Sequence, residues 1–184
     1  MSFKLEEKKL TSTLIFDGKV VHLYKDTVEL PNGQSAIREI VRHPGAVAVI
    51  PLTEEGDVIF VKQYRYPFST VLTEIPAGKL DSSEEEHISA ALRELREETG
   101  VSCEKLTYIG DLYPSVAILD EVIHMYCAQG LSYGECSPDD DEFLNVVRIP
   151  LDKAVDMVLS GEIRDSKTQV AILKTKILKE NGKL

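Results

Sequence analysis

GKLDSSEEEHISAALRELREETGV, residues 78–101, is the stretch from which the rest of the chain is organised. Ile88, Ala91, Leu92 and Leu95 recur at spacings of three and four, which predicts a helix with that stripe turned inward. Ser83 with Glu86 three residues later forms a capping box, and Thr99-Gly100 supplies the stop. Glu94, Glu97 and Glu98 fall at i, i+3 and i+4, so they share one side of the helix, opposed to the Ile88/Leu92/Leu95 stripe. Like charges at that spacing cost a helix roughly 0.2–0.5 kcal/mol per pair. Two readings account for them: a solvated acidic face softened by Arg93 and Arg96, or a ligand set for a hard divalent cation, Mg²⁺ or Mn²⁺. The preceding turn, Glu74-Ile75-Pro76-Ala77-Gly78-Lys79, favours the second. A Pro/Gly turn at a strand end is suited to present a backbone carbonyl beside the carboxylates.

Outward from the helix the chain is rich in strand signals. Thr11 to Phe16, Val20 to Leu30 and Ser35 to Arg42 are separated by Asp17-Gly18 and Pro31-Asn32-Gly33 turns. They predict an antiparallel N-terminal extension over residues 1–42, followed from 43 to 184 by the main domain. Ala46 to Leu52 and Val58 to Gln63 read as a hairpin across Glu54-Glu55-Gly56, the first strand apolar enough to be buried on both faces. Strands are expected near Lys105 to Asp111, Val122 to Ala128 and Phe143 to Ile149, then helices over Leu151 to Leu159 and Lys167 to Lys179. The fold class is α/β (α+β): a mixed β-sheet sandwich between helices.

Composition narrows the partners. The 184 residues carry a formal net charge of −10, which argues against nonspecific binding to nucleic acid or to an anionic membrane. The longest apolar stretch, Ala46 to Leu52, is too short to cross a bilayer, and the polar N-terminus shows no secretory apolar region. Cys103, Cys127 and Cys136 form no CxxC pair, so a cytoplasmic protein without a disulfide framework is expected.

Gly78, Glu85, Arg93-Glu94-Leu95-Arg96-Glu97-Glu98 and Gly100-Val101 closely resemble the Nudix box. The second half matches at every specified position. The first half carries one extra residue, so counting forward from Gly78 reaches Glu84 and counting back from Arg93 reaches Glu85, the residue aligned here. Gln63-Tyr64-Arg65-Tyr66-Pro67, Glu74 to Gly78, the acidic loop Asp139 to Glu142 and Ile163-Arg164-Asp165-Ser166-Lys167-Thr168 look like the ADP-ribose pyrophosphatase branch of that family. One departure is the proline that marks this branch about sixteen residues beyond the box. Val116-Ala117 stands in that region instead, with Pro114 nearby.

The resemblance implies a Nudix fold, a homodimer with exchanged N-terminal strands, and Mg²⁺-dependent cleavage of ADP-ribose to AMP and ribose 5-phosphate. It implies metal ligation by the Ala77 carbonyl, Glu94, Glu97 and Glu98, with Arg93, Glu97 and Glu142 as candidate catalytic residues. Glu142, at a loop–strand junction, is the expected general base. Arg65 offers a planar fork for a phosphate. Glu74 offers an acceptor for a ribose hydroxyl, and Tyr24 a ring for adenine, although strand aromatics commonly belong to the core. The alternatives are a GDP-mannose or broader nucleotide-sugar pyrophosphatase, and a noncatalytic ADP-ribose sensor. The sensor is disfavoured because the three helix glutamates are all present.

Overall fold

The computed structural model describes residues 4–82, 84–138 and 142–184. Ser83, Asp139, Asp140 and Asp141 lie outside the described residues, and the capping role read for Ser83 and most of the acidic loop fall there with them.

The backbone separates into two units, one formed by residues up to Pro44 with Tyr113–Glu121, the other by Gly45–Leu112 with Val122–Leu184. In the first, β1 (Lys8–Asp17), β2 (His22–Glu29) and β3 (Ser35–Arg42) form an antiparallel sheet in that order. The 113–121 segment is tied to β3 by Val41 N donating to Ile118 O at 2.7 Å and Asp120 N donating to Val41 O at 3.2 Å.

The second unit runs β4 (Ala46–Pro51), β5 (Asp57–Arg65), β6 (Thr70–Glu74), β7 (Ala77–Lys79), α1 (His87–Thr99), β8 (Val101–Leu112), β9 (Ile123–Tyr133), β10 (Leu144–Pro150), α2 (Leu151–Leu159) and α3 (Ser166–Glu180). One sheet has the order β7-β4-β9-β8, with β4 and β9 parallel; the other is antiparallel, β10-β5-β6. Every residue of β4 is buried, and its pleat divides them between two cores. Ala46, Ala48 and Ile50 pack with Ala154, Met157, Ala171 and Ile172 of α2 and α3. Val47 and Val49 pack with Ala90, Ala91 and Leu95 of α1. The sheet is therefore covered by α1 on one face and by α2 and α3 on the other, as the sequence leads one to expect.

Two local expectations fail. Strands β4 and β5 do turn at Glu54-Glu55-Gly56, but they share only a Leu52–Val58 bridge before parting into different sheets. The inward stripe of α1 is also different. Ile88 and Leu92 are 48 % and 40 % exposed, whereas the buried set is Ala90, Ala91, Glu94, Leu95, Glu98 and Thr99. Two of the three carboxylates thus lie on the packed face rather than opposite it. The N-cap is Glu86 itself, whose side chain accepts the Ser89 N–H at 3.0 Å.

Candidate active site

The site begins at the crossing of α1 with the β6–β7 turn. Pro76 cannot donate a backbone hydrogen bond, and its carbonyl accepts from Val49 N at 2.9 Å, anchoring the turn to β4. The next amide, Ala77 N, donates to Glu98 Oε2 at 3.1 Å. Gly78 follows and leaves room for Glu94: a Cβ there would displace the Glu94 carboxylate, whose carbon and both oxygens lie within 2.4 Å of that position. Ala77, Glu94 and Glu98 are in this way brought together by one turn and one helix face.

Electrostatics at this crossing are unusual. Burial pushes Glu98 up to about 8, with the nearby charges of Glu142 and Glu94 adding to the shift and the Ala77 N–H opposing it. Burial likewise raises Glu94; Arg93 opposes this, while Glu97 and Glu142 add to it. Glu142 therefore lies within electrostatic reach of both buried carboxylates. Arg93 Nη1 donates to Glu94 Oε1 at 2.7 Å and to Glu97 Oε2 at 3.1 Å, and Nη2 donates to Glu85 Oε1 at 3.4 Å. Burial alone would lower the Arg93 pKa, yet Glu94, Glu97 and Glu85 hold it above the ordinary arginine value. Glu85, not Glu84, is the loop glutamate that reaches Arg93, which identifies the partner that the extra loop residue leaves open in the sequence.

Among the described residues, no three His, Cys, Asp or Glu side chains already converge as a ligand cluster. Arg93 holds one oxygen each of Glu94 and Glu97. The donor set still suits a hard cation. Its oxygens are carboxylate and carbonyl, and the mutual repulsion of Glu94, Glu98 and Glu142 is what a divalent charge relieves.

The segment after β9 is tied to the end of α1. Gly134 N donates to Gly100 O at 2.7 Å and Ser137 N to Glu97 O at 3.0 Å. Gly100 has φ +67°, and a Cβ there would press on the Gly134 carbonyl at 2.5 Å.

Arg65 and Glu74 are also brought together, but as a pair. Arg65 Nε and Nη2 donate to the two Glu74 oxygens at 2.7 and 2.8 Å, and Lys167 Nζ donates to Glu74 Oε2 at 2.5 Å. Burial works against ionisation of Glu74, and the two cations overcome it, holding the carboxyl down at about 2. A cleft of about 470 Å³ lined by Phe68, Thr70, Leu72, Arg164, Asp165 and Ser166 opens beside this network. Tyr24 belongs to the other unit, where the Arg42 guanidinium lies 4.2 Å from its ring centroid. Lys167 is the site residue that the sequence did not single out; its only signal was the Asp165-Ser166-Lys167-Thr168 run.

A family model of the NUDIX domain matches residues 42–169. The chain belongs to the Nudix family. Residues 7–41 match a model described as the nucleoside diphosphate sugar hydrolase N-terminal domain. This Nudix hydrolase is 49 % identical over 170 residues to an ADP-ribose pyrophosphatase of Bacillus subtilis (strain 168), covering 91 % of each chain. It is 47 % identical over 169 residues to a methanol dehydrogenase activator of Bacillus methanolicus, again covering 91 % of each. The solved structure of an ADP compounds hydrolase superposes with a TM-score of 0.85 at 22 % identity, covering all of both chains, which extends the likeness to the fold. Nudix hydrolases use a divalent metal, in keeping with the donor set described above. No helix among the described residues is long and apolar enough to cross a membrane.

Proposed function

We propose that this chain hydrolyses the diphosphate linkage of ADP-ribose to AMP and ribose 5-phosphate, with Mg²⁺ as the working cation and Mn²⁺ as a substitute. The observation that carries the reading is the 49 % identity to a relative named ADP-ribose pyrophosphatase. The crossing of the β6–β7 turn with the carboxylate face of α1 supports it. Glu94, Glu97, Glu98 and the Ala77 carbonyl hold the cation. When bound, the cation supplies charge neutralisation and Lewis-acid polarisation for phosphoryl transfer. Arg93 keeps Glu94 and Glu97 in register. Glu142 accepts the proton of the water that attacks phosphorus, as its electrostatic reach to Glu94 and Glu98 supports. Arg65 binds a phosphate, Glu74 contributes by holding the Arg65 fork, and Tyr24 stacks the adenine.

Residues 1–42 act as a dimerisation and substrate-pocket extension of the 43–184 domain, and the protein works as a cytoplasmic homodimer. Hydrolysis of ADP-ribose in H₂¹⁸O with Mg²⁺, followed by mass spectrometry, tests the reaction. One ¹⁸O in AMP or in ribose 5-phosphate identifies the attacked phosphorus; no turnover, beside rapid turnover of GDP-mannose, moves the substrate to that sugar nucleotide. The 47 % identity to a methanol dehydrogenase activator favours a second role, as an activator of a dehydrogenase. Dehydrogenase rates measured with and without this chain test that role.

A further inference from the structure

Lys167 sits where helix physics disfavours it. It is the second residue of α3, in the first turn, where the helix carries partial positive charge and a cation is unfavourable. Its side chain is only 11 % exposed, and a buried ammonium costs free energy unless it is paired. Its partners are Glu74 Oε2 at 2.5 Å and Asp165 Oδ1 at 3.1 Å. Glu74 also holds the Arg65 fork on both carboxylate oxygens, and the two cations together outweigh the cost of burying its charge. Asp165 also caps α3 by accepting from Thr168 N at 2.9 Å and Thr168 Oγ1 at 2.6 Å. A cation placed against the helix field, on a carboxylate that a second cation already holds, points to a role for the charge itself.

Charge and rigidity indicate which role. Arg65 and Lys167 share Glu74, and with Asp165 the four charges sum to zero, so loss of the Lys167 charge would leave Arg65 in a net negative group. Of the four, Arg65 meets solvent most, with 40 % of its side chain exposed against 2 % for Glu74. The ammonium is also fixed in place. Thr168, fully buried, accepts the Ile75 N–H at 3.0 Å through its hydroxyl while donating to Asp165, which ties α3 to the turn after β6. The field of Lys167 extends to Glu98 on α1 as well.

We propose that Lys167 is a positioning residue for substrate: by sharing Glu74 it leaves the Arg65 guanidinium oriented and electropositive toward the diphosphate of a nucleoside diphosphate sugar. This rests on reading the site as a diphosphate hydrolase. Lys167 touches no reacting atom in this scheme and acts through Arg65.

The test compares wild type, Lys167→Met and Lys167→Arg, first by equilibrium binding of ADP-ribose in metal-free buffer. Removing one charge-assisted contact should weaken binding by about tenfold in Lys167→Met. Lys167→Arg, which retains the charge, should stay within about threefold of wild type. In Mg²⁺ the Lys167→Met variant should show a KM increase that exceeds its fall in kcat, with a smaller change in Mg²⁺ half-saturation, since Lys167 is the weakest of the influences named on Glu98. Unchanged ADP-ribose affinity in folded Lys167→Met overturns the proposal. So does equal loss in the Met and Arg variants, or a shift in Mg²⁺ requirement in place of KM. If Lys167→Met does not fold, Lys167→Gln makes the same comparison. Wild type that binds ADP-ribose with this pattern but turns nothing over defeats the hydrolase reading and leaves the role of Lys167 in diphosphate binding standing. Wild type that neither binds ADP-ribose nor turns it over in Mg²⁺ defeats both.

Discussion

Glu98 has the most to gain from a bound cation. It is 4 % exposed, holds the Ala77 N–H, and faces the negative charges of Glu94 and Glu142. Glu98→Gln keeps the volume and removes the charge. The metal-free variant should melt at or above the wild-type Tm, because a repulsive buried group is gone. Its Mg²⁺-induced thermal stabilisation should disappear, because a ligand bound to the native state stabilises only as far as it still binds. A full Mg²⁺ shift in Glu98→Gln, read by differential scanning fluorimetry, would remove Glu98 from the ligand set. Glu97 is half-buried and shares Arg93 Nη1 with Glu94, so Glu97→Gln should weaken Mg²⁺ binding with a smaller effect on the metal-free fold. Glu142, the proposed base, would act in a different step. Glu142→Gln should lower kcat by roughly 10²–10⁴ with little change in KM, the range for losing a general base. Wild-type kcat in that variant would move the base to another residue.

Helix α1 makes plain why the site was only partly legible. Its three glutamates, its glycine stop and its position in the chain can all be read from residues 78–101. Its orientation cannot, because the apolar residues alone point Ile88 and Leu92 inward, whereas both are exposed in the fold. Positions 91, 94, 95 and 98 form the buried stripe, and two of them are glutamates. The turn before the helix enforces that orientation, and Gly78→Ala tests it. The added methyl would displace the Glu94 carboxylate, so activity and the Mg²⁺ thermal shift should both be lost while far-UV circular dichroism stays native. Retained activity would release Glu94 from the site. The β6–α3 contact was legible as a motif but not as a pairing, because Glu74 and Lys167 lie 93 residues apart. Its energetics are testable by pH. The folded carboxyl of Glu74, at about 2, lies below its ordinary value of 4.5, so its contribution is present above pH 4.5 and is lost as pH falls toward 2. Wild type should therefore lose Tm more steeply than Glu74→Gln across that window. At pH 7 the variant should be less stable by about 3–5 kcal/mol, since two cations lose their buried partner. Parallel Tm curves between pH 5 and 2.5 would contradict the assignment.

At the scale of the whole molecule, the N-terminal sheet presents surface that a lone chain leaves uncovered. All ten residues of β1 are exposed, and Leu10, Leu14, Ile15 and Phe16 are between 45 % and 57 % accessible. As the first strand in the order β1-β2-β3, β1 is an edge with apolar side chains, which invites pairing unless it is covered or charged. Lys8 and Lys9 charge one end of the strand and Asp17 the other, but the seven residues between them carry no charge. The extension is also too small to bury a substantial core by itself. A second copy of the chain is the occupant proposed above, and a stable interface typically buries about 800 Å² per partner. Light scattering should therefore give twice the 20.5 kDa chain mass. Leu14→Asp with Phe16→Asp should shift the protein to monomer, because a charge forced into an apolar contact costs several kcal/mol. Deleting residues 1–42 should abolish the dimer and lower kcat/KM for ADP-ribose by more than about tenfold, since the deletion takes with it Tyr24, the ring proposed to stack the adenine. The Mg²⁺ thermal shift should survive the deletion, since Ala77, Glu94, Glu97 and Glu98 all belong to the other unit. A truncated protein that stays dimeric, or that stays monomeric with full activity, would rule out this role for the extension.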